Sequence, residues 1–161
     1  MKNRFRSNVN VNINAFQFVL ILMSLLPSFK SAIAACTINS VGVVFSPYSA
    51  LQSLPNNSGV GTVTVTCTGG EVFPVITLTT GQHSSTTQRF MTSSTSPDKL
   101  GYNIFTDAAR TIVWGDGKGQ GSAVTVQSST TNILSLYGQI GPGQDAGVGY
   151  YGDFLTVTVN F

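Results

Sequence analysis

The residues able to do chemistry are few, and most sit where turns are expected. His83 is the only histidine of the 161-residue chain. It lies in Gly81-Gln82-His83-Ser84-Ser85, a loop-tip sequence. A serine hydrolase needs a histidine base whose ring is oriented by a third residue, and the local sequence supplies none. His83 therefore reads as a solvated loop side chain. Asp107, Asp116 and Asp153 each stand beside turn residues, where aspartate commonly accepts hydrogen bonds from nearby backbone. They read as turn caps rather than as a carboxylate pair or a cation site. Gly115-Asp116-Gly117-Lys118-Gly119-Gln120-Gly121 lacks the ligand spacing of a calcium loop. Gly147-Val148-Gly149-Tyr150-Tyr151-Gly152 matches the dinucleotide fingerprint in letters, but that fingerprint needs a strand before it and a helix after it. Here a strand follows. Two cysteines, Cys36 and Cys67, with one histidine fall short of the four ligands that zinc usually takes. No catalytic, cofactor-binding or metal site is expected, and the chain reads as no enzyme. Trp114, Tyr102, Phe105, Tyr137, Tyr150 and Tyr151 would serve either as a sugar-stacking platform or as core and rim of an ordinary β-sandwich, and the second reading is favoured.

The chain's start belongs to a different kind of element. Lys2, Arg4 and Arg6 form a basic head, the run from Ala15 to Leu26 is almost wholly apolar, and Ala32-Ile33-Ala34 is a small-x-small exit. That order is the mark of a secretory signal peptide. The apolar run is too short to cross ~30 Å of hydrocarbon, which takes roughly 20 residues. The expectation is a signal peptide over 1–34, a mature domain over 35–161, and no stable membrane insertion once the signal is removed. The full chain carries a net charge of +2, but Lys2, Arg4, Arg6 and Lys30 leave with the signal. Arg89, Lys99, Arg110 and Lys118 then face six acidic residues. No basic patch remains to hold phosphates, which excludes the usual electrostatic basis of nucleic-acid binding.

In an oxidising compartment an even cysteine count favours a disulfide between Cys36 and Cys67. A second reading competes, because Ile33-Ala34-Ala35-Cys36 also resembles a lipobox. In that case Cys36 would be lipidated and Cys67 left as a free thiol.

From Ala35 onward the composition is that of a β-sandwich or barrel, with many Val, Thr, Ser and Gly, few charges and frequent turn clusters. Thr62–Cys67 and Leu155–Phe161 alternate strictly, which puts the apolar set on one face and the threonines on the other. Alternation turns Val63, Val65 and Cys67 inward. Weaker strands read at Thr37–Phe45, Phe73–Thr80, Leu100–Thr106, Ala123–Gln127 and Ile133–Ile140, with a short addition at Gln88–Thr92. About 127 mature residues suffice for a sandwich of about seven strands around one core.

Several segments in order resemble the spore coat protein U domain. They are Cys36-Thr37-Ile38, Val65-Thr66-Cys67-Thr68, Arg89-Phe90-Met91, Leu100 through Thr111 with Val113-Trp114-Gly115-Asp116-Gly117, Leu136-Tyr137-Gly138-Gln139-Ile140, and Gly149-Tyr150-Tyr151-Gly152-Asp153 with the closing strand. Gln139 stands where that family often has arginine, and Gly141-Pro142-Gly143 replaces the more usual Pro-Ala-Gly.

The resemblance implies an immunoglobulin-like sandwich that lacks its final strand and is completed by a donor strand. It implies a secreted structural or adhesive subunit of a spore coat or archaic pilus. A periplasmic chaperone would lend the strand first, and a neighbouring subunit would replace it at an outer-membrane usher. Leu155, Val157, Val159 and Phe161 share one face and are expected to line the groove where that strand is missing. With cleavage before Ala35, no donor extension precedes Cys36, which points to a terminal place in a fibre or to a coat role. The alternative function is a free-standing secreted module that binds carbohydrate or a surface.

Overall fold

Residues whose side chains alternate between apolar and hydroxylated fold as strands because successive side chains point to opposite faces of the pleat. The computed structural model describes residues 35–69, 73–84, 87–127 and 130–161. The signal peptide expected over 1–34 lies outside them. Eight strands follow in chain order: β1 Ala35–Val44, β2 Val60–Thr68, β3 Val75–Leu78, β4 Arg89–Thr92, β5 Lys99–Phe105, β6 Val124–Thr125, β7 Thr131–Ile140 and β8 Val157–Asn160. The short β4 is the addition expected at Gln88–Thr92. No helix occurs among the described residues.

The strands form an all-β sandwich. A five-stranded sheet has the order β1-β2-β7-β5-β4, and a three-stranded sheet has the order β6-β3-β8. Every pairing within them is antiparallel. Between the sheets lie Val63, Val65 and Cys67 of β2, Ile76 and Leu78 of β3, Leu100 and Ile104 of β5, and Leu136 and Ile140 of β7, all buried. Thr62, Thr64 and Thr66 alternate with the buried β2 residues and are half-exposed.

One segment stitches the sheets together. After β5 the chain turns at Asp107, whose carboxylate accepts from the Thr111 and Ile112 amides at 3.0 and 2.8 Å. Arg110 takes a left-handed conformation there, with φ 58°. Trp114 then donates its backbone N–H to Ile104 O of β5 at 2.9 Å, and Gly115 O accepts from Leu78 of β3 at 3.0 Å. Residues 114–115 therefore lie on the flank of β3 that β6 also occupies, and tie that flank to β5. On the other flank of β3 runs β8, which places β8 toward β2 and β1.

Candidate functional site

The inner faces of β1 and β8 are incompletely covered. In the small sheet, Ile76 pairs with Val159 and Leu78 with Val157. Ile76 and Leu78 are 0% and 2% exposed, whereas Val157 and Val159 are only half-buried. Leu155, Val157 and Val159 pack against the core cluster. Phe161 lies just past the last paired residue and is 71% exposed. The large sheet repeats the pattern at its own edge. Ile38 pairs with Val65 and Ser40 with Val63, yet Ile38 is 41% exposed over a wholly buried Val65, and Ser40 is exposed. Among the described residues β8 pairs only with β3, and β1 only with β2. The two sheet edges thus leave a seam with half-exposed apolar walls and backbone that is unpaired among the described residues.

The walls of the seam are fixed at four points. Cys36 and Cys67 face each other in register and are bonded, with S–S 2.00 Å. The pairing agrees with the disulfide reading of the two cysteines. Past a bulge between Val41 and Val44, Val43 and Phe45 turn in over Gly59 and Gly138, where a Cβ on Gly138 would lie 2.6 Å from the Phe45 ring. Only glycine leaves room for that plug. Phe45 meets Tyr102 edge-on at 6.2 Å between centroids.

Before β8, Asp153 accepts from Tyr102 Oη at 2.8 Å, from Gln82 N at 3.0 Å and from Phe154 N at 2.9 Å. Burial and the bond to Asp153 push the Tyr102 hydroxyl well above its ordinary pKa, so it stays a neutral donor. Finally, Arg89 of β4 is 0% exposed and reaches across the core. Its Nε and Nη2 donate to Thr79 O at 3.1 and 2.8 Å, and Nη2 donates to Trp114 O at 2.6 Å. Burial lowers its pKa, and Nη1 has no hydrogen-bond partner among the described residues.

The other side chains able to do chemistry are held by hydrogen bonds to neighbouring strand and loop residues, and His83, expected to be solvated, is half-buried. His83 Nε2 lies 3.1 Å from Thr92 Oγ1. Asp116 accepts from the Lys118 and Gln120 amides at 2.8 and 3.0 Å. No group of three His, Cys, Asp or Glu side chains that could hold a metal assembles among the described residues. The sugar-stacking platform does not form as the alternative required. Trp114 is 0% exposed, with Nε1 donating to Ile76 O at 3.2 Å, and Tyr102 and Phe105 are also buried. Tyr137 lies beneath the Arg110 guanidinium, 5.9 Å from its ring centroid.

Sequence reading did not single out Arg89 or the Phe45 plug as structural members of the site. Strand alternation does put Arg89 inward beside Met91, a signal that an arginine's charge masks.

A family model described as the Spore Coat Protein U domain matches residues 23–158. Among solved structures, the chain is similar to one in the crystal structure of the CsuC-CsuE chaperone-tip adhesion subunit pre-assembly complex from archaic chaperone-usher Csu pili of Acinetobacter baumannii. The identity is 23% and the TM-score 0.57, over 80% of this chain and 40% of that one. The present chain therefore spans less than half of that relative, and the likeness is one of fold. No curated protein matches the chain.

Proposed function

The chain belongs to the Spore Coat Protein U domain family, and from that premise we propose an exported structural and adhesive subunit of a surface coat or fibre, its open seam filled by a strand from a partner. The observation that carries the reading is the contrast across register. Inward residues of β2 and β3 are fully buried, while their paired neighbours on β1 and β8 are not. An inserted strand would pair with the free backbone of β8, and its alternate side chains would cover Val157, Val159, Leu155 and Ile38. Taking half-exposed aliphatic side chains fully out of water is worth about 1 kcal/mol each. Left bare, the same seam is a site for edge-to-edge aggregation.

A periplasmic chaperone would fill the seam first and a neighbouring subunit afterwards, during assembly at an outer-membrane usher. The finished protein would sit at the cell surface or in an extracellular fibre. Its role is structural and adhesive rather than catalytic. A synthetic strand peptide with alternating large apolar residues should raise the melting temperature of the exported protein by about 10 °C or more, several kcal/mol for a domain of this size. Val157→Asp should remove that shift. A protein that resists aggregation alone and gains nothing from any such peptide would rule the seam out as a strand acceptor.

A further inference from the structure

The opposite face of the large sheet carries a second feature, independent of the seam. Leu100, Tyr102 and Ile104 of β5 point into the core, so Gly101, Asn103 and Phe105 face outward. By the same alternation Gln88 and Phe90 face outward beside inward Arg89 and Met91, as does Gln139 beside Ile140. These residues line a cavity of about 400 Å³, within the roughly 300–1,000 Å³ range of small-molecule sites. Gly101 makes it possible, since a Cβ there would lie 2.9 Å from Gln144 Oε1 and 3.2 Å from Gln88 Nε2.

The Gln88, Gln139 and Gln144 amides of the cavity have their orientation set by hydrogen bonds. Gln88 Nε2 donates to Arg89 O at 3.0 Å and to Tyr102 O at 2.9 Å. Gln139 Nε2 donates to Asn57 Oδ1 at 2.8 Å. With both nitrogens occupied, Gln88 Oε1 and Gln139 Oε1 remain as acceptors without a protein partner among the described residues. Gln144 is spent on structure, since its amide accepts from Gly101 N at 2.7 Å and donates to Gly101 O at 2.8 Å. The apolar surface comes from half-buried Phe90 and nearly covered Phe105. No charged side chain among the described residues lines the cavity. Lys99 is not among the lining residues, and its Nζ lies over the Phe90 ring, 5.9 Å from the centroid.

We propose that this outer-face cavity binds a neutral saccharide, its hydroxyls donating to the Gln88 and Gln139 carbonyl oxygens and its apolar C–H face resting on Phe90. Two fixed acceptors, an aromatic surface and an uncharged lining call for a ligand that is rich in donors, neutral and apolar on one side. A pyranose meets all three conditions.

The test is saturation-transfer NMR on the full exported protein with maltose, lactose and N,N′-diacetylchitobiose, followed by titration. Transfer to ring C–H protons is expected from at least one of them. Gln139→Ala, which removes a single exposed bond to Asn57, should weaken binding about tenfold, near the upper share of one hydrogen bond. Phe90→Ala should abolish binding within the titrated range, with Trp114 fluorescence confirming that the fold persists; Phe90→Tyr should retain it. Lys99→Ala should leave it unchanged. Absence of transfer from all three sugars would overturn the proposal, as would binding indifferent to Gln139→Ala. So would binding confined to an acidic saccharide such as digalacturonate and lost with Lys99→Ala.

Discussion

Breaking the Cys36–Cys67 bond should release one wall of the seam while the rest of the sandwich stays folded. The bond joins residues 31 apart in sequence, and closing such a loop is worth roughly 3–4 kcal/mol in the chain-entropy model. What else holds β1 is thin. Of its residues only Cys36 and Val43 pack against the core, and most of the rest are exposed on both faces. Its hydrogen bonds to β2 contribute about 1 kcal/mol each, against about 1–2 kcal/mol per residue to order the backbone. The bond therefore decides whether β1 stays docked.

Hydrogen exchange on the oxidised protein, on its reduced form and on Cys36→Ser/Cys67→Ser checks this. Protection of β1 amides should fall by about 100- to 1,000-fold, the factor that corresponds to 3–4 kcal/mol, while β5 and β7 keep theirs. The reduced form serves as a control for the hydroxyl that Cys67→Ser would bury. If β1 keeps its protection, or if all strands lose it equally, the bond does not act by anchoring an otherwise weakly held edge.

The remaining predictions concern the other ties around the seam. Arg89→Met leaves Thr79 O and Trp114 O without the donor that bridges them and should cost about 2–5 kcal/mol, read by urea unfolding through Trp114 fluorescence; parity with the parent would mean that those carbonyls find water instead. Gly81→Ala forces a side chain onto a backbone at φ +92° and within 1.9 Å of Asp153 Oδ2. It should cost about 1–3 kcal/mol and return Tyr102 toward an ordinary phenol titration, and an unchanged alkaline titration would refute the link. Asp98, Asp107 and Asp116 are held below the usual carboxylate value, chiefly by bonds from the Ser96 hydroxyl, the Ile112 amide and the Lys118 amide respectively. A depressed folded value means stabilisation that is present above the ordinary pKa of 3.8 and lost as pH falls through the lower one. Melting temperature should therefore drop below about pH 4, and Asp107→Asn should flatten that drop; a flat acid profile in the parent would contradict the assignment.

Much of the fold was legible in the residues. Strict alternation in Thr62–Cys67 and Leu155–Phe161 determines by itself which side chains turn inward, because the strand period of two admits no other set. The eight strands fall within a few residues of the segments so read. Asp107 and Asp116 were recognisable as turn-capping residues because an Asx side chain finds its partners within a few positions in the chain, whereas Asp153, read the same way, accepts from Gln82 and Tyr102, partners that only the fold brings to it. Covering a face is another matter, since it depends on a sheet assembled from distant segments. Alternation makes Val159 and Ile76 equally inward, and only the three-stranded sheet, with β3 in its middle and β8 at its edge, leaves one half-exposed and the other wholly buried. For the same reason Trp114 reads as a possible binding platform in sequence and is sealed between the sheets in the structure. Arg89, a charge that composition assigns to the surface, ends in the core because two carbonyls, at Thr79 on its N-terminal side and Trp114 on its C-terminal side, converge there.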